Sequence, residues 1–506
     1  MLTRILLGIL YTVTGIAILG TVVLHNHARI TCHWNWESTD SFLRMVVFAD
    51  PQMEGDAKIR RLGKRAHVDL AFNDAFMRHI YKKMMSPSWE PLAHLSSLLS
   101  RSTEPHTPRS PTHVSILGDL FSSQWIDDTE FEVRVARYRS IFPEPTSSVT
   151  SGSGAGSGTG EDEVGSAMPV VMINITGNHD IGYGYDISQY RVERWEQVFG
   201  KSNFISSMDI PAANAAVVDN SESGENDTES RSTTQGRGAS NRKLHLVVLN
   251  TMLLDGPSSD ESLRGQTWEF LQEASALKET NPQDKIVLLT HIPFHKEQGI
   301  CVDPPDIRVH SDNTIIEQTM LTPNTTQWIL NNLRPDFVLN GHDHYGCDVT
   351  HVLAHGQESW TAFATTDLTS ASSTTPSQPQ EEQVVQPKEE EEDLQQQQQP
   401  TRKVREVTQR SMMAEFNGYS GLFEIKTPTT TSSENNDDLE FHYTACGFFN
   451  DLQVWTVIVT DIIVVLLWCL LGLVHLILST ITATTSSGQA ARRKTNNLPS
   501  EKQKLL

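Results

Sequence analysis

Residues 170–180 read VVMINITGNHD, an apolar run of strand-forming residues that ends in a glycine and three polar side chains. The same pattern occurs in four other stretches, namely FLRMVVFADPQ at 42–52, HVSILGDLF at 113–121, KIVLLTHIPF at 285–294 and DFVLNGHDH at 336–344. Continuous apolar runs of this length suit strands that are buried on both faces. The recurrence therefore predicts buried strands with ligand-type residues at their carboxyl ends.

The segments between these runs contain helical patterns, such as LRGQTWEFLQEASALK at 263–278 and the segment 324–333. Alternation of strands and helices indicates an α/β layered domain, in which ligands collect where the strands end in loops. Two later runs, 421–425 and 439–449, alternate apolar with polar residues. They predict late strands that complete the edge of a sheet.

The charge balance excludes one class of partner. The 506 residues contain 40 Lys plus Arg and 62 Asp plus Glu, a net charge of −22, which disfavours binding to nucleic acid. Three polar, low-complexity tracts at 144–167, 212–242 and 366–402 cannot bury enough apolar surface to fold. We expect them to be disordered insertions in one sizeable folded domain.

Both ends of the chain carry an apolar segment. Residues 5–24 contain no charge, so segment 1–25 is expected to be a transmembrane anchor, with a cleaved signal peptide as the alternative. Residues 454–478 form a second predicted transmembrane helix, whose only formal charge is Asp461. The basic residues at 492–494 then place the tail, 479–506, in the cytosol and the region between the spans on the opposite, lumenal side.

The five cysteines contain no CxxC pair, which argues against a zinc ribbon or a thioredoxin-type motif. In an oxidising lumen they are expected to form crosslinks. Cys347 could pair with Cys301 or Cys446, and Cys32 is a further candidate, so the connectivity stays open. Cys469 lies within a predicted span and is expected to be free.

Asn226 and Asn324 stand in N-x-[ST] sequons and are the predicted glycosylation sites.

The polar strand ends supply carboxylate, carboxamide and imidazole groups. They are Asp50, Asp119, Asn178, His179, His291, His342 and His344. This donor set suits divalent cations of borderline hardness, and the absence of cysteine disfavours a structural zinc site. The set predicts a catalytic metal site with open coordination positions.

The ordered blocks D-x-Q, G-D, G-N-H-D, T-H and G-H-D-H resemble the signature of calcineurin-like metallophosphoesterases across residues 42–350. The resemblance implies a four-layer α/β/β/α sandwich, completed by strands within 403–449, that holds two divalent metal ions. It assigns Asp50 and His344 to the first metal and Asp119 to a bridging position. Asn178, His291 and His342 would complete the second site. His179 would stand beside the metals as the catalytic general acid.

Gln52 departs from the family pattern, because the first block commonly reads D-x-H. The amide oxygen of glutamine is a harder donor than imidazole, which favours manganese or magnesium at the first site. We therefore expect manganese as the cofactor and include Gln52 among the predicted ligands. The alternative is that Gln52 does not ligate.

The ADPQ and THIPF blocks, the two spans and the C-terminal KQKLL resemble the endoplasmic reticulum branch that remodels glycosylphosphatidylinositol (GPI) anchors. In KQKLL, Lys502 and Lys504 match a K-x-K-x-x retrieval signal. The resemblance implies removal of ethanolamine phosphate from a mannose of the GPI glycan, in a membrane protein cycling between the endoplasmic reticulum and the early Golgi. It implies GPI lipid or GPI-anchored proteins as substrate, with cargo receptors and the COPI coat as partners.

Two alternatives remain open. One is a membrane-anchored phosphoesterase acting on another lumenal lipid or on a phosphoprotein. The other is a non-catalytic adaptor that sorts GPI-anchored proteins, which Gln52 favours and the nearly complete ligand set disfavours.

Overall fold

A computed structural model describes residues 2–32, 34, 41–85, 111–144, 170–211, 242–365, 400–427, 439–448 and 451–496. The insertions predicted at 144–167, 212–242 and 366–402 lie outside the described residues except at their ends. Residues 400–402 belong to a strand, so the third predicted segment extends too far at its carboxyl end. Asn226, Lys502 and Lys504 also lie outside the described residues.

One sheet contains five strands in the order β14-β13-β1-β2-β3. Its first three strands along the chain are parallel, and β13 and β14 are added in antiparallel fashion beside β1. The strands are β1 (Ser41–Phe48), β2 (His113–Ile116), β3 (Val171–Asn174), β13 (Tyr419–Lys426) and β14 (Glu440–Gly447). The late strands were predicted at a sheet edge; β14 lies there, whereas β13 lies inside the sheet.

The second sheet contains seven strands in the order β11-β10-β12-β9-β6-β5-β4. Strands β5, β6, β9 and β12 are parallel, and antiparallel strands flank them. The strands are β4 (Phe204–Asp209), β5 (Lys243–Val248), β6 (Lys285–Leu289), β9 (Phe337–Asn340), β10 (Cys347–Ala354), β11 (Thr361–Ala364) and β12 (Pro400–Thr408). A separate hairpin pairs β7 (Ile307–Val309) with β8 (Ile315–Gln318).

The two sheets share one apolar core. Residues on alternate positions of β1, such as Met45, contact those of β5, β6 and β9 in a single buried cluster. The rings of Phe337 and Phe423, one from each sheet, lie 4.8 Å apart between centroids. Since side chains alternate along a strand, the other face of each sheet needs a separate cover.

Helices provide that cover. On the five-stranded sheet, the Phe48 ring lies 5.7 Å from Tyr81 of α3 (Lys64–Met84) and 6.4 Å from Phe142, which follows α4 (Asp128–Ile141). The residues of β6 and β9 that point away from the shared core are also fully buried. So are Leu271 of α7 (Glu261–Thr280) and Ile329 of α8 (Pro323–Asn332). The layers therefore follow the predicted α/β/β/α order.

The helices of this unit are α2 (Asp56–Leu62), α3 (Lys64–Met84), α4 (Asp128–Ile141), α5 (Asn178–Ile181), α6 (Gln189–Phe199), α7 (Glu261–Thr280) and α8 (Pro323–Asn332). Short 3-10 turns occupy Thr251–Leu253 and Ala414–Phe416. Helices α7 and α8 correspond to the helical patterns predicted at 263–278 and 324–333.

The terminal segments form a second compact unit, residues 1–27 and 449–506. It contains all but the last turn of α1 (Leu2–Thr31) and the whole of α9 (Asp451–Asn496). Within these helices, Leu7–Leu24 and Gln453–Ala483 are long and apolar enough to cross a membrane. Their apolar side chains are largely exposed, unlike those of a soluble core helix. Within this unit, Asp461 accepts a hydrogen bond from the Thr21 hydroxyl at 2.8 Å.

The disulfides join Cys301 to Cys347 and Cys32 to Cys446, with Cα atoms 5.6 and 5.5 Å apart. This connectivity resolves the alternatives that the sequence left open. Cys469 is free, as predicted.

Candidate metal centre

The predicted site residues follow the carboxyl ends of five parallel strands. Asp50 and Asp119 follow β1 and β2, Asn178 follows β3, and His291 and His342 follow β6 and β9. Because the two sheets face each other with these ends on the same side, the structure brings the residues together. His344 and Gln52 lie in the same group.

The loops that carry these residues have unusual backbone geometry. Asp50, Asp119 and His342 have φ angles of 51°, 50° and 77°, in the left-handed region that residues other than glycine rarely adopt. Gly118 has a φ of 91°, and a Cβ added to it would lie 2.3 Å from Nδ1 of His291. Such backbone strain is characteristic of functional sites, and here it directs three polar side chains inward.

One half of the site surrounds Oδ1 of Asp119. Nε2 of His291 lies 3.3 Å from this oxygen and 3.0 Å from Oδ1 of Asn178. Nδ1 of His342 lies 3.3 Å from the same nitrogen. The carboxylate and the two imidazoles offer ligand atoms that all fall within 4.8 Å of one another.

Hydrogen bonds fix the orientation of both imidazole rings. Nδ1 of His291 lies 2.7 Å from the carbonyl oxygen of Leu117, and Nε2 of His342 lies 2.9 Å from that of Gln318. A carbonyl oxygen only accepts, so those nitrogens carry the protons, and in a neutral ring the other nitrogen presents a lone pair. Four acceptor atoms thus converge on one point, which is the arrangement that a divalent cation requires.

The electrostatics of this half-site also favour positive charge. Burial lowers the pKa of His291, but the attraction of Asp119 and then of Asp50 outweighs it and raises the pKa to about 9. Burial would raise the pKa of Asp119, yet His291 and His179 hold it below its usual range. A cation and the second proton of His291 therefore compete for the same position.

The other half of the site contains Asp50, His344 and Gln52. Nε2 of His344 lies 4.0 Å from Oδ1 of Asp50. Burial raises the pKa of Asp50 well above its ordinary value, with repulsion from Asp119 adding to the effect. A cation beside Asp50 would offset that cost, so the residues of this half also fit a metal ion.

Gln52 points its amide nitrogen into the site. This nitrogen donates to Oδ2 of Asp119 at 3.0 Å and lies 3.0 Å from Nε2 of His344. The two oxygens of Asp119 thus face different halves of the site, and its bridging role stays a prediction. The ligand role of Gln52 would need its amide oxygen in place of the nitrogen, and it stays a prediction.

His179 stands at the mouth of the site. Its backbone N–H donates to Oδ1 of Asp119 at 2.9 Å, and its Nε2 lies 3.9 Å from Oδ2. Its side chain is 38 % exposed, whereas that of Asp119 is 1 % exposed. The imidazole is therefore accessible to a substrate, and its role beside the metals stays a prediction.

Sequence reasoning missed the role of Asp180. Its carboxylate accepts from the backbone N–H of Gly177 at 2.8 Å and of Phe121 at 3.0 Å, and so joins the loops after β2 and β3. Burial, with repulsion from Asp119, raises its pKa to about 7. Asp180 is the last residue of the G-N-H-D block, and its place in that block is the sequence signal that could have identified it.

Glu406 was also missed, and no sequence signal marked it. It lies in β12, is fully buried, and accepts from Lys296 Nζ at 2.8 Å and from Asn340 Nδ2 at 2.7 Å. It also accepts from the Phe294 backbone and from the ring of His351. Burial would raise the pKa of Glu406, but Lys296 and His351 lower it to about 2. Glu406 thus connects the segments that carry His291 and His342.

Of the two predicted glycosylation sites, the structure describes Asn324. This residue is exposed at the start of α8. It is therefore accessible for modification.

Comparison with known proteins agrees with this architecture. The family model for calcineurin-like phosphoesterases matches residues 43–346, close to the predicted range of 42–350. Several curated relatives are similar in sequence, and three of them follow.

Protein TED1 of Saccharomyces cerevisiae is 26 % identical over 485 residues, which cover 85 % of this chain and 83 % of the relative. An uncharacterized protein of Schizosaccharomyces pombe is 30 % identical over 318 residues, covering 62 % and 65 %. Metallophosphoesterase 1 of Mus musculus is 25 % identical over 252 residues, covering 48 % of this chain and about half, 52 %, of the relative.

The chain belongs to the calcineurin-like phosphoesterase family. It is a metal-dependent phosphoesterase with the α/β fold of that family, and the fold implies divalent metal ions.

Proposed function

We propose that this calcineurin-like phosphoesterase is a phosphodiesterase of the endoplasmic reticulum lumen that removes ethanolamine phosphate from a mannose of the GPI glycan. The observation that carries the phosphoesterase chemistry is the convergence of acceptor atoms on Asp119, whose two oxygens face different halves of the site. The choice of substrate is supported by the resemblance of the ADPQ, THIPF and KQKLL segments to the GPI-remodelling branch and by the two apolar helices.

Two divalent ions would be held by the two halves of the site. One ion would be held by Asp50, His344 and Gln52. The other ion would be held by Asn178, His291 and His342. Asp119 would bind both ions. When bound, such ions act as Lewis acids that neutralise the charge of a phosphate group. The mixture of oxygen and imidazole donors suits manganese, which we propose as the physiological metal.

His179 supplies the proton for the leaving group. Departure of a sugar alkoxide from phosphorus is slow unless its oxygen is protonated, and a positioned imidazole can donate that proton. The exposed ring of His179 lies beside Asp119 and can reach a substrate oxygen without displacing a ligand. Asp119 accepts from the backbone of His179 and so fixes the residue that carries the ring.

The apolar helices give the proposed location. Arg492, Arg493 and Lys494 lie within α9 beyond its apolar segment, and basic residues flanking a span favour the cytosolic side. The catalytic unit would then be lumenal. Attachment to a membrane at both ends raises the local concentration of the enzyme near a lipid-linked substrate. Lys502 and Lys504 would be read by the COPI coat, and cargo receptors for GPI-anchored proteins would be partners.

Cells that lack the protein provide the decisive test. They should accumulate GPI anchors that retain an additional ethanolamine phosphate, detectable by mass spectrometry of the GPI glycan. Expression of the unmutated chain should remove that group, and the Asp119→Asn variant should not. Asp209→Asn, which changes an exposed aspartate at the end of β4, is the matched control and should restore trimming. Unchanged GPI glycans in the deletion cells would exclude this substrate and favour another lumenal lipid or a phosphoprotein.

The non-catalytic adaptor makes a different prediction. Under that alternative, export of GPI-anchored proteins would be restored equally by the unmutated chain and by Asp119→Asn. Measurement of export in the same cells separates the two functions.

A further inference from the structure

A cavity of about 890 Å³ has Gln52 in its wall. Gln52 also contacts Asp119 and His344, so one residue of the cavity wall touches the metal centre. The loop after β1, helices α2, α3 and α4, the loop after Asp119 and the turn at 413–415 form its walls. For a substrate whose phosphate lies at the metal centre, an adjoining group would have to pass Gln52 to enter this cavity.

The charged residues of the cavity compensate one another. Lys58 pairs with Glu54, Arg60 pairs with Asp56, Arg134 contacts Glu130 at 2.8 Å, and Arg137 contacts Asp74 at 2.7 Å. Paired charges of this kind do not create a strong field for a polyanion. They do present hydrogen-bond donors and acceptors side by side, which is what the hydroxyl groups of a neutral ligand need.

Trp125 lies on the wall of the same cavity and is 70 % exposed. Its loop is held in place, because the buried Gln124 donates to Asp186 at 3.0 Å and the carbonyl of Ile126 accepts from Arg194 at 3.0 Å. The exposure of the indole is therefore a property of a fixed loop. A single exposed ring is ordinary on a protein surface, but an indole that also lines a polar cavity can pack against a ligand bound there.

We propose that this cavity is a carbohydrate subsite in which the indole of Trp125 packs against the apolar face of a sugar ring. The paired charges, such as Arg60 with Asp56, would bind the hydroxyl groups of the sugar. Two acidic residues, Asp127 and Asp128, follow the indole closely in the chain and disfavour an anionic membrane surface as its partner. The assignment of mannose as the sugar rests on the proposed function.

Two small substrates with the same phosphodiester test the subsite in the full-length protein with manganese. Mannose 6-(2-aminoethyl phosphate) contains the sugar ring, whereas sn-glycero-3-phosphoethanolamine does not. Trp125→Ala should raise KM for the mannose diester about 10-fold without changing kcat, and should leave the glycerol diester unaffected. Trp125→Phe, which keeps a ring, should restore KM. Phe363→Ala, which removes an exposed ring from β11, is the control and should change neither.

A binding measurement keeps the inference separate from the proposed function. Saturation-transfer NMR with α-1,2-mannobiose should show contact with the sugar protons in the unmutated protein and in Phe363→Ala, and none in Trp125→Ala. If neither diester is cleaved but the sugar binds, the proposed function fails and the subsite stands. Equal loss of activity on both diesters in Trp125→Ala, or absence of sugar binding in the unmutated protein, would overturn the subsite.

Discussion

Nε2 of His291 and Nδ1 of His342 lie 3.3 Å apart, each on the side of its ring that does not face a backbone carbonyl. The two histidines follow the neighbouring parallel strands β6 and β9, in which Leu289 is paired with Leu339. A shift of one residue in that register would move one imidazole away from the other. The geometry of the site is therefore a direct consequence of how two buried strands align.

Asp119→Asn should abolish phosphodiester hydrolysis while the protein stays folded. The carboxylate is the one proposed ligand shared by both halves of the site, and an amide removes a negative charge from between two dications. Metal analysis of the purified protein should show that at least one ion is lost. Asp209→Asn is the control. Two bound metals with unmutated turnover in Asp119→Asn would contradict the dinuclear assignment.

His179→Ala should retain both metals and lose rate by roughly 10²- to 10⁴-fold, the range typical of a missing general acid. The side chain stands beside Asp119 at a distance of 3.9 Å and is not among the proposed ligands. Turnover and metal content measured together check this prediction. The exposed His355, in the turn after β10, provides the control His355→Ala, which should behave as the unmutated protein.

Gln52→His should keep activity but change which metal supports it best. Imidazole is a softer donor than an amide oxygen, so the variant should favour zinc or a similar ion relative to manganese. The measurement is turnover of one diester with manganese, magnesium and zinc supplied in turn. An unchanged order of metals would indicate that Gln52 acts only as the hydrogen-bond donor to Asp119 that the structure shows.

Glu406→Gln should destabilise the fold by about 3–5 kcal/mol, because it leaves the buried ammonium group of Lys296 without its carboxylate. Thermal unfolding in detergent measures this cost. The double variant Glu406→Gln with Lys296→Met should recover part of the loss. Glu317→Gln, which breaks an exposed pair with Arg308, should cost less than about 1 kcal/mol. Equal losses of stability in Glu406→Gln and Glu317→Gln would contradict the role of Glu406 as the carboxylate that compensates the buried charge of Lys296.

His113 should make stability depend on pH. Burial lowers its pKa from 6.5 to about 4, so the folded protein binds this proton less readily than the unfolded chain. Stability should therefore fall as pH decreases from about 6.5 to about 4, by a total on the order of 3 kcal/mol. His113→Gln should flatten this part of the profile in denaturant unfolding at each pH. The exposed-site variant His355→Gln should leave the slope unchanged.

The five strands that precede the proposed ligands could be predicted, because the polar residues of the site follow apolar runs in sequence. Prediction of Asp50, Asp119 and His291 as site residues required no knowledge of distant contacts. Strand β12 was harder to predict from the sequence, since it follows a long polar tract and places the charged Glu406 in the core. The charge is compensated mainly by Lys296, a partner more than a hundred positions earlier, and all of its other donors also come from distant segments. The disulfide partners depend on tertiary structure in the same way.

The pairing of β1 with β13 has a consequence for biosynthesis. Leu43 finds its partner Ile425 only after nearly the whole chain is made, which takes on the order of 20–80 s at about 5–20 residues per second. During that interval one edge of β1 has no strand beside it, and β9 likewise waits for β12. A nascent or truncated chain ending near residue 350 already contains every proposed ligand but neither completed sheet. Until the last strands are made, these edges stay open to pairing with other chains.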